Sequence, residues 1–323
     1  MTYALAGDIG GTNIRSALVD ETGRIVNRSS VRTPSERSPR EVVDSFLDVL
    51  SEVAQGTHIG EVAGIGLAIA GPTDPETGRM FNPPNLQQFD GFSAKPQIEE
   101  KFGMKTIVAN DATLAALGEQ RFGAGRGRQD LVYLTVSTGI GGGFVQGGRL
   151  VHGARGFAGE IGQMVIDPNC PECLEGNNGC FEGLCSGTAV ARIARERLAQ
   201  GAESALRQYC GGDLDAVDSQ MVVRGASEDD ELSEQIMDEV STNLGIGIVN
   251  LLHILDPEIV VMGGGMSNAL DLMLPAINRE IDRRYMIKEG KRAEIVRSAL
   301  GDDVGLLGAA AAAFDLGSEA GPL

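Results

Sequence analysis

The sequence predicts an α/β protein of two domains. Three observations carry this. Apolar strand-like runs alternate with stretches of helical period, three of the strands end in glycine-rich turns, and 323 residues with 42% hydrophobic content allow two cored domains.

The elements follow in order. Tyr3–Ala6 and Ile14–Val19 read as strands around Asp8-Ile9-Gly10-Gly11-Thr12-Asn13. Gly10 and Gly11 lack Cβ atoms, so backbone N–H groups can approach a phosphate. Thr12 and Asn13 add short donors, and Asp8 can hold hydrated Mg²⁺ through water. The same turn also reads as an ordinary hairpin loop. Ser38–Ala54 carries Val42, Val43, Phe46, Leu47 and Leu50 at helical spacing behind a Ser-Pro start, which predicts a surface helix. Strand Gly64–Ile69 leads into Ala70–Leu86, a rigid polar loop containing Asn82 and Asn85. Strand Thr106–Val108 precedes Asn110-Asp111 and an apolar helical stretch, Thr113–Leu117; the Asn-Asp pair also suits a helix N-cap.

Strand Leu131–Val136 runs into Ser137-Thr138-Gly139-Ile140-Gly141-Gly142-Gly143, after which Phe144 and Val145 resume the strand. Gly159-Glu160-Ile161-Gly162-Gln163 follows, then a cysteine segment from Cys170 to Glu182. Ala189–Leu198 and Asp238–Leu255 read as helices. The second is apolar nearly all round, which places it in a core or in a subunit interface. Asp213–Asp230 is acidic and turn-rich, and is expected to be exposed. Strand Ile259–Met262 enters the third glycine turn, Gly263-Gly264-Gly265, and Leu307–Phe314 is an Ala-rich helix.

Three strand-and-glycine turns in this order are similar to the sugar kinase, Hsp70 and actin superfamily, whose fold is ribonuclease-H-like with a cleft between two domains. With Asn110-Asp111, Gly159–Gln163 and the cysteine segment added, the chain resembles the ROK family of sugar kinases and sugar-responsive repressors, above all its glucokinase branch. The likeness runs from Asp8 to the Gly308–Ala313 helix. It implies a small domain of residues 1–111 plus 308–323 around a larger one of 112–307. It implies ATP held by Asp8, Gly10, Gly11, Thr12, Asn13, Thr138 and Gly139, with Gly263, Gly264 and Gly265 against the adenosine. Asp111 takes the family's place of general base, which suits a carboxylate beside a weakly nucleophilic hydroxyl. Asn110 and Asp111 match the residues that hold the reacting end of the sugar, Glu160 and Glu182 those that accept its other hydroxyls, and Asn82 or Asn85 a contact from the Asn-Pro loop.

The implied reaction is ATP-dependent phosphorylation of glucose at its 6-hydroxyl, with Mg²⁺, in a domain cleft whose closure expels water. One residue keeps other hexoses open. Gln163 stands where the family has a His that contacts the sugar, so fructose, N-acetylmannosamine and N-acetylglucosamine remain alternatives. A non-catalytic sugar sensor is a further class, opposed by the intact Asp8, Asp111, Thr138 and Glu160. The family's structural zinc uses that same His and three Cys. Here Cys173 and Cys180 match, Glu175 replaces the second Cys, and Cys170 is extra. A rebuilt zinc site of Cys170, Cys173 and Cys180 with Glu175 or water, free thiols, and a disulfide all remain readings. His152 is either near the site or a loop residue.

Charge and ends bound the rest. Asp and Glu number 45 against 27 Lys and Arg, a net charge of −18, which opposes binding to a phosphate backbone. The family's repressors carry a helix-turn-helix before the first glycine turn, and no room for one is expected here. No apolar run approaches about twenty residues, so no membrane span is expected, and a strand directly after Met1 leads us to expect a cytoplasmic protein. The family's common dimers and tetramers make a homodimer or homotetramer the expected assembly. Lysine is confined to Lys95, Lys101, Lys105, Lys288 and Lys291. An acidic surface low in Lys predicts adaptation to high salt, where a Debye length of about 3 Å screens self-repulsion.

Overall fold

The computed structural model describes residues 1–170, 177–287 and 292–317. The chain opens with β1 (Tyr3–Ile9), β2 (Asn13–Asp20) and β3 (Ile25–Arg32), then α1 (Pro39–Val53), β4 (Val62–Ile69), α2 (Lys95–Phe102), β5 (Thr106–Asn110) and α3 (Asp111–Phe122). Next come β6 (Leu131–Val136), β7 (Ile140–Gln146), β8 (Arg149–Leu150), α4 (Phe181–Cys185), α5 (Gly187–Ala199), α6 (Leu206–Tyr209) and α7 (Ser219–Ser227). The remainder is α8 (Glu231–Leu255), β9 (Ile259–Gly263), α9 (Leu270–Arg284), β10 (Glu294–Arg297) and α10 (Val304–Leu316). Contacts divide it into two compact units, one of Met1–Tyr133, Gly143–Gly159 and Ser298–Leu323, the other of Leu134–Gly142 and Glu160–Arg297.

The first unit is built on a sheet in the order β3-β2-β1-β4-β5. β1–β2 and β2–β3 are antiparallel, while β4 runs parallel to both β1 and β5. α1 begins with a complete capping box, in which Ser38 accepts from the Glu41 N–H and Glu41 from the Ser38 N–H. Its predicted apolar face is buried, and Val43, Phe46 and Leu50 join Leu5, Ile9, Ile65 and Leu67 in one core. α10 packs on β1, β4 and α3, with Ala309 to Ala313 all at 0% exposure. The α3–α10 crossing is close enough that a Cβ on Gly308 would lie 2.1 Å from the Leu114 carbonyl oxygen. That crossing binds α3 to the first sheet. The unit therefore extends past the expected boundary at 111, and it takes in 143–159 and 298–307 as well.

The second sheet has the order β10-β9-β6-β7-β8. In the second unit α8 starts earlier than its apolar run, capped by Asp230, which accepts from Ser233 N–H. It packs against α9, α7, α4 and α5, with Val240, Leu244 and Ile248 at 0% exposure. Of the two readings of this apolar helix, the core is the one observed. Asp213–Asp230 is largely exposed, as expected, but it is not all turn: α7 occupies Ser219–Ser227 behind an Asp218 N-cap that accepts from Met221 N–H at 2.8 Å. α9 passes through Pro275, a residue that usually ends a helical pattern. No helix of the described residues is long and apolar enough to cross a membrane.

Candidate active site

In the first unit the site residues gather around the β1–β2 turn. β1 extends through Asp8, so the carboxylate belongs to the strand. The antiparallel register sets Asp8 directly opposite Arg15, and the two form an ion pair. Asp8 is 8% exposed. Loss of water raises its pKa, and the charge and hydrogen bond of Arg15 oppose that rise. Arg15 also donates to the Asp302 carbonyl at 2.7 Å. Asp8, Gly11, Thr12, Asn13, Arg15 and Asp302 are among the residues lining a cavity of about 380 Å³. The hairpin reading holds for part of this turn: Gly10 N–H donates to Asn13 O at 3.0 Å, so that donor is used within the turn. Thr33 ties down the Gly10 carbonyl, with its hydroxyl 2.7 Å away.

Asn82 and Asn85 are both exposed. Asn82 holds a left-handed φ of 42°, a conformation Asn tolerates better than most residues, and its N–H donates to Asp90 Oδ1 at 2.9 Å. Asn110 is the N-cap of α3, its Oδ1 accepting from Ala112 and Thr113 N–H at 2.9 and 3.1 Å. Its Nδ2 faces the Gly71 carbonyl at 3.3 Å. Asp111 follows at the first helical position, half-buried, and accepts from Ala112 N–H at 2.9 Å. His152 is half-buried with Nε2 shut off from solvent and unpartnered, and burial pushes its pKa down.

In the second unit the β6–β7 turn carries the corresponding residues. Ser137, Thr138 and Gly265 line a cavity of about 700 Å³ with Thr188, Asp218 and Arg224. The last three were not anticipated. α7 brings Asp218 and Arg224 there, and the one legible signal was an Asp-Ser pair ahead of Met221-Val222-Val223, an N-cap pattern inside a segment dominated by charge. Arg224 is fixed by Glu228 at 2.9 Å and lies 4.1 Å from the Tyr209 ring centroid. Gly264 has φ 78°, and a Cβ on it would meet the Val136 carbonyl oxygen at 2.4 Å. Glu182 is half-buried and accepts from Ile140 N–H at 2.7 Å. Glu160 keeps exposed surface, yet enough water is lost around its carboxyl to raise its pKa, and the charge of Glu182 raises it further. Two carboxylates thus stand near one another in this unit, an arrangement suited to accepting hydroxyl donors.

The zinc reading, one of the three left open for the cysteine segment, falls partly on residues outside those described. Gln163 is exposed, and its backbone and side-chain oxygens face Asn177 Nδ2 at 2.7 and 3.4 Å. Cys180 is 1% exposed and disulfide-bonded, so it offers no thiolate to a metal. Cys170 is half-buried; Cys173 and Glu175 lie outside the described residues. Among the described residues no cluster of three or more His, Cys, Asp or Glu is placed to hold a metal ion.

The two sheets and their glycine turns define an α/β protein of the ribonuclease-H-like type shared by sugar kinases, Hsp70 and actin. Residues 4–315 match the pattern of the ROK family, and the chain belongs to that family. It is 35% identical over 306 residues to a glucokinase of Halalkalibacterium halodurans, covering 93% of this chain and 92% of the relative. A glucokinase of Thermotoga maritima is 33% identical, with 94% of each chain covered. Among solved structures, a ROK family glucokinase from Streptomyces griseus in complex with glucose and AMPPNP superposes with a TM-score of 0.80 at 32% identity, covering 95% of this chain and 98% of that one.

Proposed function

We propose that this protein is a glucokinase, transferring the γ-phosphoryl group of ATP to the 6-hydroxyl of glucose. The observation that carries the reading is the position of Asp111: a carboxylate at the first helical position of α3, directly after the Asn110 N-cap, in a chain similar throughout to a structure that holds glucose and AMPPNP. Asp111 accepts the 6-hydroxyl proton as the oxygen attacks the γ-phosphorus, and the bond from that phosphorus to the β,γ-bridging oxygen breaks, leaving ADP. Asn110 shares the reacting end of the sugar through its Nδ2, its Oδ1 being used by the helix cap. Glu160, Gln163 and Glu182 accept the other hydroxyls, with Asn82 and Asn85 as further contacts. The phosphates are met by Gly11, Thr12 and Asn13 and by Thr138 and Gly139, and the nucleoside by the cavity beside Gly265 and Arg224. Asp8 is the residue that fits a hydrated Mg²⁺, which supplies charge neutralisation at the phosphates when bound.

The neutral, exposed Gln163 supports a second reading, a ROK kinase for another hexose. One assay separates them: sugar-dependent ADP release with Mg-ATP in molar KCl, comparing glucose, fructose, mannose and the two N-acetyl hexosamines. We expect turnover with glucose well above the rest. Turnover with another sugar alone replaces the substrate and keeps the mechanism, and a folded sample inert to all five removes the kinase reading in favour of a sensor.

A further inference from the structure

One oxygen of Glu182 is already engaged away from any sugar. Its Oε2 takes the Ile140 N–H at 2.7 Å, and a Cβ placed on Gly139 would lie 2.3 Å from that same oxygen. Gly139 and Ile140 belong to the β6–β7 turn, assigned above to the phosphates. The polypeptide that carries Glu182 then touches this turn again. Gly187 N–H donates to the Ser137 carbonyl at 2.7 Å, and the Thr188 hydroxyl donates to the Thr138 carbonyl at 2.8 Å. The connection between the two contacts is short and stiff. α4 is capped by the Cys180 sulfur, which accepts from Gly183 N–H at 3.3 Å. α5 is capped by Ser186, which accepts from Ala189 N–H at 3.2 Å, and Ser186 N–H in turn donates to the Glu182 carbonyl at 3.0 Å. Residues 137 to 140 are therefore tied at two points to one segment, and Glu182 forms one of them.

We propose that Glu182 is a positioning residue that couples sugar binding to nucleotide binding. The proposal rests on the kinase reading above. Oε2 fixes the phosphate turn while Oε1 accepts a sugar hydroxyl. A carboxylate can accept on both oxygens at once, so the sugar does not displace the Ile140 N–H. A sugar that orders this side chain also orders the turn, and a nucleotide that orders the turn also orders the side chain. The ordering cost is then met once for two ligands, which makes each bind more tightly in the presence of the other. The effect is reciprocal by linkage.

The test reads each substitution through the substrate it does not touch. Gly139→Ala puts a methyl group where Oε2 lies. Glucose binding to this variant without nucleotide is expected to weaken about tenfold, the loss of one charge-assisted hydrogen bond. Glu182→Asp keeps the charge but is one methylene too short to serve both ends, and AMPPNP binding to it without sugar is expected to weaken about tenfold as well. Calorimetric titrations of wild type and both variants provide the dissociation constants. Should Gly139→Ala not fold, the Glu182→Asp measurement decides alone. AMPPNP affinity of Glu182→Asp within twofold of wild type overturns the coupling and leaves Glu182 a sugar acceptor only. Wild-type protein that takes up neither glucose nor AMPPNP overturns the kinase reading and this proposal with it.

Discussion

Asn110 and Asp111 are neighbours with divided work. The N-cap of α3 falls to Asn110, and the proposed reading gives the carboxylate one residue later the chemistry. Replacing Asp111 by Asn keeps its shape and removes its basicity, so Asp111→Asn is expected to retain glucose binding and to lose about 10²-fold or more in kcat; near-normal turnover removes Asp111 from the role. Glu160 sets a pH limit. Burial, then the charge of Glu182, holds its carboxyl above the ordinary value of 4.5, and in the proposed reading its anion is the stronger acceptor for a sugar hydroxyl. The acid limb of kcat/KM for glucose is therefore expected above pH 4.5, with full activity once the pH passes the raised value. Glu182→Gln removes the neighbouring charge and is expected to bring that limb to lower pH, whatever it does to the plateau. A limb at the same pH in both proteins assigns it to another group. Gly139 and Gly264 illustrate how far residue types can be read. Both were legible as turn glycines meant for a nucleotide, but the atoms that exclude a Cβ are Glu182 Oε2 and the Val136 carbonyl oxygen. Arg15 was illegible for the same reason in reverse: it acquires meaning only from a strand register that sets it across from Asp8.

Elements with strong periods were legible, and those whose signals were diluted were not. α1 and the three strands that run into glycine turns stand where their apolar spacing put them. α7 was masked by the acidic residues around it and α9 by Pro275. β10 is only four residues long. One contact between elements was likewise beyond sequence reading. Glu119 on α3 is fully buried, and its carboxylate accepts from the N–H groups of Ala124 at 2.7 Å, Leu300 at 3.1 Å and Ala299 at 3.3 Å, and from the Ser298 hydroxyl. Those residues lead directly to Asp302, beside Arg15, and into α10. Glu119→Ala removes the shared acceptor of several part-buried donors, and is expected to cost about 2 kcal/mol in urea unfolding. A loss below about 0.5 kcal/mol, the range of ordinary surface substitutions, shows that water satisfies those donors instead.

At the scale of the whole molecule the excess of acid dominates, 45 carboxylates against 27 basic groups. Several of its ion pairs are at the surface, among them Arg28–Asp303 at 2.9 Å and Arg279–Asp238 at 2.9 Å, and such pairs contribute little each. Salt screens a net repulsion more than it weakens these contacts. The melting temperature is expected to rise from low to molar KCl, and equal stability in both removes the salt adaptation inferred from composition. The place of α10 has its consequence in time. This helix covers β1 and β4, yet roughly 300 residues of synthesis separate it from β1, with β4 also made long before it. At about 5–20 residues per second that is an interval of roughly 15–60 s. Throughout it the first unit waits with an apolar face uncovered while the second is still being made. The last strand of the second unit, β10, precedes α10 directly in sequence, so both units are completed only at the end of synthesis, and during that interval the nascent chain is a natural client for a chaperone.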